Sequence, residues 1–464
     1  MLEIKDLSLW HEDNKKVLDN ISMEIADGEC ILLTGESGGG KSSIINSING
    51  LIFSYENAQS TGSIKVNGKE IKDLQLYEIS LLIASVFQNP KTHFFNVNTT
   101  LELLFYLENI GLTRDDMDLR MKEMLKIFHI KHLLERSIFD LSGGEKQILC
   151  VASCYISGCK VIVLDEPSSN LDEMYIDFLK EMLKVLKDKQ ITLILAEHRI
   201  YYLMDLVDRI YFIKSGKLDR IFTKVEFLSL ERATLTEWGI RSRYRTVLKK
   251  NRMEKGKALL IKKMEVEFED ERTLSLENVG FDLGRIYGIV GRNGCGKSTF
   301  LRVMTGLERK DKSEIFYHEK KLNRKGRLNS SALVMQDVNH QLFAVSVEEE
   351  VKLGAKDLKQ DKVDKVLNDL GLSMLRDRHP MSLSGGEKQR VAIASVLCKN
   401  SRFIYFDEPT SGMDHKNMLK ISKLIKEMIT DDNIIFIVSH DTEFLNKTTD
   451  FNFCLEEHTK AKHN

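Results

Sequence analysis

Apolar residues in this chain gather in short, unbroken blocks. Cys30–Thr34 (CILLT) and Ile286–Val290 (IYGIV) have strand length, and each runs straight into a glycine-rich stretch. Val161–Leu164 and Phe403–Phe406 are continuous apolar runs of the kind that suits fully buried parallel strands. LILAE (193–197) and IFIVS (435–439) are strand-like and each ends beside a histidine. Helices are expected to open at Lys41 and Lys297 and to cover Glu145–Ser157 and Glu387–Lys399. Strands alternating with helices predict an α/β fold. No apolar run approaches the ~18 residues that a membrane-spanning helix needs. The opening MLEIKDLSLW lacks the cationic and apolar regions of a signal peptide, so a soluble, cytoplasmic protein is expected.

Repetition changes this picture more than composition does. GESGGGKSS (35–43) returns as GRNGCGKST (291–299), LSGGEKQ (141–147) as LSGGEKQ (383–389), and VLDEP (163–167) as YFDEP (405–409). Ser142 to Glu166 and Ser384 to Glu408 are both 24 residues; Glu166 to His198 and Glu408 to His440 are both 32. Lys41 to Gln88 is 47 residues against 39 for Lys297 to Gln336, so length varies only upstream. One rigid unit is used twice. The expected boundaries are 1–223 for the first domain, 224–256 for a basic connector and 257–464 for the second domain. The connector region holds RSRYRTVLKKNRMEKGK (241–257), with eight Lys/Arg against one Glu, and reads as a solvated tether or a contact for anionic lipid or a partner.

The chain has 464 residues, 30% of them charged and 42% hydrophobic, with a formal net charge of −1. That balance argues against a dedicated nucleic-acid binder and against an acidic disordered chain. The seven cysteines form no CxxC pair and read as reduced core thiols rather than metal ligands. The four prolines, at 90, 167, 380 and 409, all stand beside motifs.

The motifs carry the chemistry. GxxxxGK[ST] after a strand and before a helix lets backbone N–H groups point inward at phosphate oxygens, with the helix N-terminus facing the anion. Gly35, Ser37, Gly38, Gly40, Lys41, Ser42 and Ser43 form one such loop; Gly291, Asn293, Gly294, Gly296, Lys297, Ser298 and Thr299 form the other. Lys41 and Lys297 would reach the β- and γ-phosphates, and Ser42 and Ser298 would ligate Mg²⁺. Asp165 and Asp407, at strand ends, can hold Mg²⁺ through water, and the adjacent Glu166 and Glu408 can polarise an attacking water. His198 and His440 stand where a side chain could touch a γ-phosphate. Ser142-Gly143-Gly144 and Ser384-Gly385-Gly386 open helices and make a second kind of anion site.

With these elements in this order, each half of the chain resembles the ATP-binding cassette (ABC) ATPases over essentially everything but the connector. The resemblance identifies Gln88 and Gln336 as Q-loop glutamines that also ligate the metal, LSGGEKQ as the signature, and His198 and His440 as switch histidines. SSNLD (168–172) and SGMD (411–414) become D-loops. Trp10 and Phe268 become candidates for stacking on adenine. It implies two tandem P-loop NTPase domains, each with a RecA-like core, an antiparallel β subdomain and a helical signature subdomain. It also implies two ATPs bound head to tail, the first shared between Lys41, Ser42, Gln88, Asp165, Glu166, His198 and the signature residues Ser384 and Gly386. The second would be shared between Lys297, Ser298, Gln336, Asp407, Glu408, His440 and Ser142 and Gly144. Two departures stand out: Ser43 where Thr is usual, and Ile148 where the second half has Arg390.

The segments after the glutamines narrow the resemblance. QNPKTHFFNVNTTLE (88–102) and QDVNHQLFAVSVEEEV (336–351) carry Phe94-Phe95 and Leu342-Phe343, followed by an acid-containing helix. This resembles the ATPases of energy-coupling factor (ECF) and cobalt-type uptake systems, in which this segment docks a transmembrane coupling subunit. Separately encoded coupling and substrate-binding membrane subunits, one chain per transporter, no nucleic acid and a peripheral place on the cytoplasmic face of the membrane follow from it. A soluble tandem ATPase acting in translation, or the ATPase of another importer class such as sugar uptake, is the alternative.

Overall fold

The computed structural model describes residues 1–10, 16–55, 58–169, 171–249, 256–268, 272–309, 311–355 and 358–461. The chain divides into two units, Met1–Arg245 with Asp414–Lys416, and Thr246–Met413 with Asn417–Asn464. The strands of the first are β1 (Leu2–Trp10), β2 (Lys16–Ile25), β3 (Cys30–Gly35), β4 (Gln59–Val66), β5 (Lys69–Glu70), β6 (Ile83–Val86), β7 (Val161–Asp165), β8 (Thr192–Ala196), β9 (Arg209–Lys214) and β10 (Lys217–Thr223). They form two sheets, ordered β2-β1-β4-β5 and β10-β9-β3-β8-β7-β6. The smaller is antiparallel. In β2 the buried residues Leu18, Ile21, Met23 and Ile25 lie largely at alternate positions, as a sheet with one face on the core requires. In the larger sheet all but β10 run parallel. Every residue of β3 is buried, because the strand is covered on both faces.

The second unit repeats this plan with β11 (Leu259–Glu267), β12 (Arg272–Phe281), β13 (Arg285–Val290), β14 (Glu314–Tyr317), β15 (Lys320–Lys321), β16 (Ser331–Val334), β17 (Phe403–Asp407), β18 (Ile434–Val438), β19 (Phe451–Cys454) and β20 (Thr459–Ala461). The antiparallel sheet is ordered β15-β14-β11-β12-β20 and the parallel one β16-β17-β18-β13-β19. Between the strands preceding and following the signature, each unit inserts helices: Thr99–Asn109, Arg114–Ile127 and Gly143–Ser157 in the first, Val347–Lys352, Gln360–Asp369 and Gly385–Cys398 in the second. The expected α/β architecture of two tandem domains is the one observed. The cysteines are free thiols, all buried but the partly buried Cys454.

One expectation needs correction. Residues from 224 onward do not begin a tether. Helices Lys224–Ser229 and Arg232–Glu237 pack back on the first unit, burying Phe227, Leu235 and Ile240 in its main core. Trp238 stacks on Phe212 at 5.1 Å between ring centroids, with the Arg220 guanidinium 4.8 Å from its ring. The basic run downstream dominates the local composition, whereas these few spaced apolar residues decide the packing. Residues 250–255 of the basic stretch lie outside the described part.

Candidate functional site

In the first unit the parallel register brings three strand ends together. Leu33 of β3 and Asp165 of β7 both pair with Ala196 of β8. The loop after β3, the acidic pair after β7 and His198 after β8 therefore emerge at one edge, as in open α/β sheets generally. The loop turns on Gly35 (φ 140°), Gly38 (φ 74°) and Gly40 (φ 106°), and a Cβ on Gly35 would lie 1.9 Å from the Ile213 carbonyl oxygen. Helix Lys41–Ile48 starts at the loop's end, with Ser42 and Ser43 in its first turn. Lys41 is buried and its Nζ donates to the carbonyls of Gly35 (3.2 Å) and Glu36 (2.9 Å). Ser42 Oγ donates to Asp165 Oδ1 at 3.1 Å. Glu166 is held at φ 45°, in the left-handed region that a side-chain-bearing residue rarely enters, and its N–H donates to Ala196 O at 2.8 Å. Gln88 Nε2 donates to Glu166 Oε2 at 2.8 Å; His198 Nε2 lies 3.6 Å from Glu166 Oε1 and 3.4 Å from Ser37 Oγ.

The second unit builds the same edge. Ile289 of β13 and Asp407 of β17 both pair with Val438 of β18. Gly291, Gly294 and Gly296 have φ of 150°, 79° and 96°, Asn293 lies between the first two, and Ser298 and Thr299 stand in the first turn of helix Lys297–Thr305. Lys297 Nζ donates to the carbonyls of Gly291 (2.8 Å) and Arg292 (2.9 Å), and Ser298 Oγ to Asp407 Oδ2 (3.0 Å). Glu408 repeats the left-handed backbone, at φ 49°. Its Oε1 accepts from the His440 N–H (2.9 Å), with His440 Nε2 at 3.8 Å, and its Oε2 accepts from Ser439 Oγ (3.0 Å). Gln336 follows β16 in the same loop position as Gln88 after β6.

Ser142 and Ser384 cap helices Gly143–Ser157 and Gly385–Cys398, each in a reciprocal pair with the glutamate three residues on, Glu145 or Glu387. Gly144 lies under the Tyr175 ring, where an added Cβ would come within 2.5 Å, whereas around Gly386 the nearest atom is Arg390 Nη1 at 3.8 Å. Ile148 is buried in the core of its unit. Of the two stacking candidates, Trp10 is half-buried and lines a cavity of about 370 Å³ with Gln59, Ser60 and Thr61, with Lys16 Nζ 5.1 Å from its ring. Phe268 lies against the loop itself, 2.6 Å from where a Cβ on Gly296 would stand.

Burial sets the charges. It pushes the Glu166 carboxyl up to about 8, aided by the Asp165 charge and opposed by Lys41. It raises Asp165 and Asp407, against the pull of the Ser42 and Ser298 hydroxyls, and lowers Lys41. His198 is held well below the usual imidazole range by burial and by the Lys41 and Arg241 charges, so it is neutral at pH 7. Among the described residues no cluster of three or more His, Cys, Asp or Glu could hold a metal. The hydroxyl–carboxylate pairs Ser42–Asp165 and Ser298–Asp407 do offer the few hard oxygen donors that suit Mg²⁺ arriving with substrate phosphates.

The segments after the glutamines share a second device. Glu102 is buried, and its Oε2 accepts from the N–H groups of Phe95 (3.0 Å) and Asn96 (2.7 Å). In the second unit the buried Glu350 accepts from those of Phe343 (2.7 Å) and Ala344 (2.7 Å). Each folded segment turns one member of its apolar pair inward, Phe94 or Leu342, and leaves the other, Phe95 or Phe343, 77% or 75% exposed. The periodicity of the sequence flagged an acidic helix there, but not that one acid closes the loop. Nor did sequence reasoning single out Glu197, a buried carboxylate beside His198; the contrast of AEH with VSH was its one visible sign.

Comparison with known proteins gives the chain its family. The ABC transporter family model matches residues 18–169 and 276–411. A Treponema denticola protein, provisionally named an ABC transporter ATP-binding protein, is 39% identical over 96% of this chain and 93% of its own. The chain therefore belongs to the ABC transporter family and is one of its ATP-hydrolysing proteins, with two ATP-binding domains. Among solved structures, an archaeal ABCE1 in a ribosome-bound model with Pelota matches 96% of this chain and 76% of its own at a TM-score of 0.67. At 21% identity that likeness is one of fold. cbiO1 of Clostridium perfringens, part of the cbiONQ transporter complex, matches 51% of this chain and 93% of its own at 26% identity, but its TM-score of 0.46 carries no weight.

Proposed function

We propose that this chain is the ATPase of an ECF-type importer, working from the cytoplasmic face of the membrane on separately encoded coupling and substrate-binding membrane subunits. Its cargo class would be a micronutrient: a vitamin, a vitamin precursor or a metal ion. The observation that carries the reading is the pair of exposed aromatic segments, Phe95 with Val97 and Phe343 with Val345, each fixed by one buried glutamate. Rigid, exposed apolar residues repeated at matching places suit a partner that engages both units. Among the described residues no helix is long and apolar enough to cross a membrane; in this reading the translocation path belongs to other chains.

In this reading Lys41 and Lys297 turn from their own loop carbonyls to the β- and γ-phosphates, and the loop N–H groups complete the cradle. Ser42 with Asp165, and Ser298 with Asp407, would hold the Mg²⁺ that accompanies ATP, which would offset the phosphate charge. Glu166 and Glu408 accept the proton of the attacking water, and His198 and His440 contact the γ-phosphate. Gln88 links this chemistry to the partner surface. It bonds Glu166 and lies seven residues before Phe95, so a change at the phosphate reaches the docking segment through a short stretch of chain.

The test is affinity capture of the Glu166→Gln/Glu408→Gln protein with ATP and Mg²⁺ from detergent-solubilised native cells. Recovery of small polytopic membrane proteins, lost in Phe95→Ala/Phe343→Ala, is the expected result. Recovery of ribosomal subunits without membrane proteins would replace the importer reading with one in translation.

A further inference from the structure

The turn that carries the histidine is wired differently in the two units. In the first, the residue before His198 is Glu197, 2% exposed. Its Oε1 accepts from the N–H and hydroxyl of Ser168 and from Tyr202 Oη (3.0 Å). Its Oε2 accepts from the N–H groups of His198 (2.7 Å) and Arg199 (3.1 Å). In the second unit that position is Ser439, and the acid stands after the histidine instead, as Asp441. Asp441 accepts from Phe444 N (3.0 Å) and Thr410 Oγ1 (3.4 Å) and so turns toward its own helix start. The histidine N–H then goes to Glu408, and Ser439 Oγ joins it.

One N–H makes one strong hydrogen bond, so the carboxylate that takes it decides where the other stands. Glu197 takes it in the first unit, and Glu166 bonds Gln88 instead. In the second unit Glu408 is fastened to the histidine turn by two donors. Water activation requires a carboxylate oxygen directed at the water; a carboxylate keeps lone pairs to spare, but one with each oxygen fixed by a donor of the histidine turn must loosen one of those bonds to swing toward the water.

We propose that Glu197 and Ser439 are positioning residues that set the two candidate bases differently. Glu197 withholds the His198 N–H from Glu166 and leaves that base free to turn to water. Ser439 helps to fasten Glu408, so the first site hydrolyses faster than the second. The inference rests on Glu166 and Glu408 being the bases of their sites.

The test reads each site alone, by single-turnover hydrolysis of radiolabelled ATP, which does not depend on repeated cycling. In a Glu408→Gln background, Glu197→Ser should slow hydrolysis about 10-fold, the scale of one hydrogen bond to a charged group. ATP affinity, read by a fluorescent analogue, should change less than about 2-fold, since the effect lies in the chemical step. In a Glu166→Gln background, Ser439→Ala should speed hydrolysis about 3- to 10-fold. A purely structural role predicts something else: Glu197→Ser would lower affinity, rate and melting temperature together, and Ser439→Ala would leave the rate unchanged or lower it. Either result overturns the proposal. Should Glu197→Ser not fold, Ser439→Ala decides alone, because it removes one hydroxyl. The parent single variants separate the two levels: if neither slows hydrolysis, the assignment of the bases fails; if both do and the second substitutions do not diverge, only this inference fails.

Discussion

Among the described residues of the first unit Glu166 receives one side-chain hydrogen bond, from Gln88, and the buried Nε2 of Gln147, in helix Gly143–Ser157, has no hydrogen-bond partner. In the second, Glu408 is held by Ser439 and the His440 backbone, and Gln389, the counterpart of Gln147, donates to the Glu408 carbonyl at 2.9 Å. The motifs at these places match almost letter for letter and their spacings are equal. The histidine turns differ between the units in Glu197 against Ser439, to which we assign the different setting of the two glutamates. Repeated motifs fix which groups meet at the sheet edge, whereas their neighbours fix the state in which the groups wait.

The largest effect should come from removing the carboxylates. Glu166→Gln and Glu408→Gln each should cost about 10²–10⁴-fold in hydrolysis at the site concerned, measured by single turnover. Equal steady-state losses from the two would weaken the contrast drawn above, and a smaller loss from Glu408→Gln would sharpen it.

Next come the loop glycines, where the units differ again. A methyl at Gly35 meets the Ile213 carbonyl at 1.9 Å, which is backbone within the sheet, whereas at Gly291 it meets the Cys295 thiol at 2.6 Å, a side chain that can turn away. Both glycines lie at positive φ. Gly35→Ala should destabilise its unit by more than about 2 kcal/mol and Gly291→Ala by less, read as separate shifts in a calorimetric trace.

The pH dependence is a subtler distinction. The Glu166 carboxyl holds its proton to about 8 in the folded unit, far above its ordinary carboxylate value of about 4.5. The folded state binds more protons than the unfolded one across that window, so this group's contribution to stability is full below the ordinary value and is lost as pH rises toward 8. His198, buried neutral, loses stability in the other direction, as pH falls below about 6.5. Between pH 6.5 and 8 the Glu166 slope stands largely alone: the first unit's melting temperature should fall over that range, and Glu166→Gln should flatten it. In a Glu408→Gln background, kcat/KM, which reports the free enzyme, should climb through the same range as Glu166 ionises. The smallest effect on turnover belongs to Phe95→Ala and Phe343→Ala. These should change the hydrolysis rate of the isolated chain less than about 2-fold while removing membrane partners from it.

Much of this was readable from residues in a row. The phosphate loops, the acidic pairs and the histidines converge because each closes a strand of one parallel sheet, so runs such as CILLT and VIVL already placed them at one edge. Three features were not readable. The left-handed backbone of Glu166 and Glu408 depends on the bond from each N–H to the neighbouring strand, to Ala196 or Val438, and the letters DEP do not display it. The extension of the first unit past Thr223 rests on Trp238 finding Phe212 and Phe222, on Phe227 meeting Phe222, and on Leu235 joining the same core, contacts that the basic residues nearby obscure in the sequence. Glu197 draws its role from Ser168 and Tyr202, which only the fold brings to it.

That both units carry working ATPase centres built on Glu166 and Glu408 is tested most directly by phosphate release from the wild type, each single glutamine variant and the double variant, with binding of a fluorescent ATP analogue as the control for folding. The account predicts that every protein binds nucleotide, that each single variant retains hydrolysis at its intact site in a single turnover, and that the double variant falls below about 10⁻² of the wild-type rate. Hydrolysis by the double variant at close to the wild-type rate, with nucleotide bound normally, would contradict it.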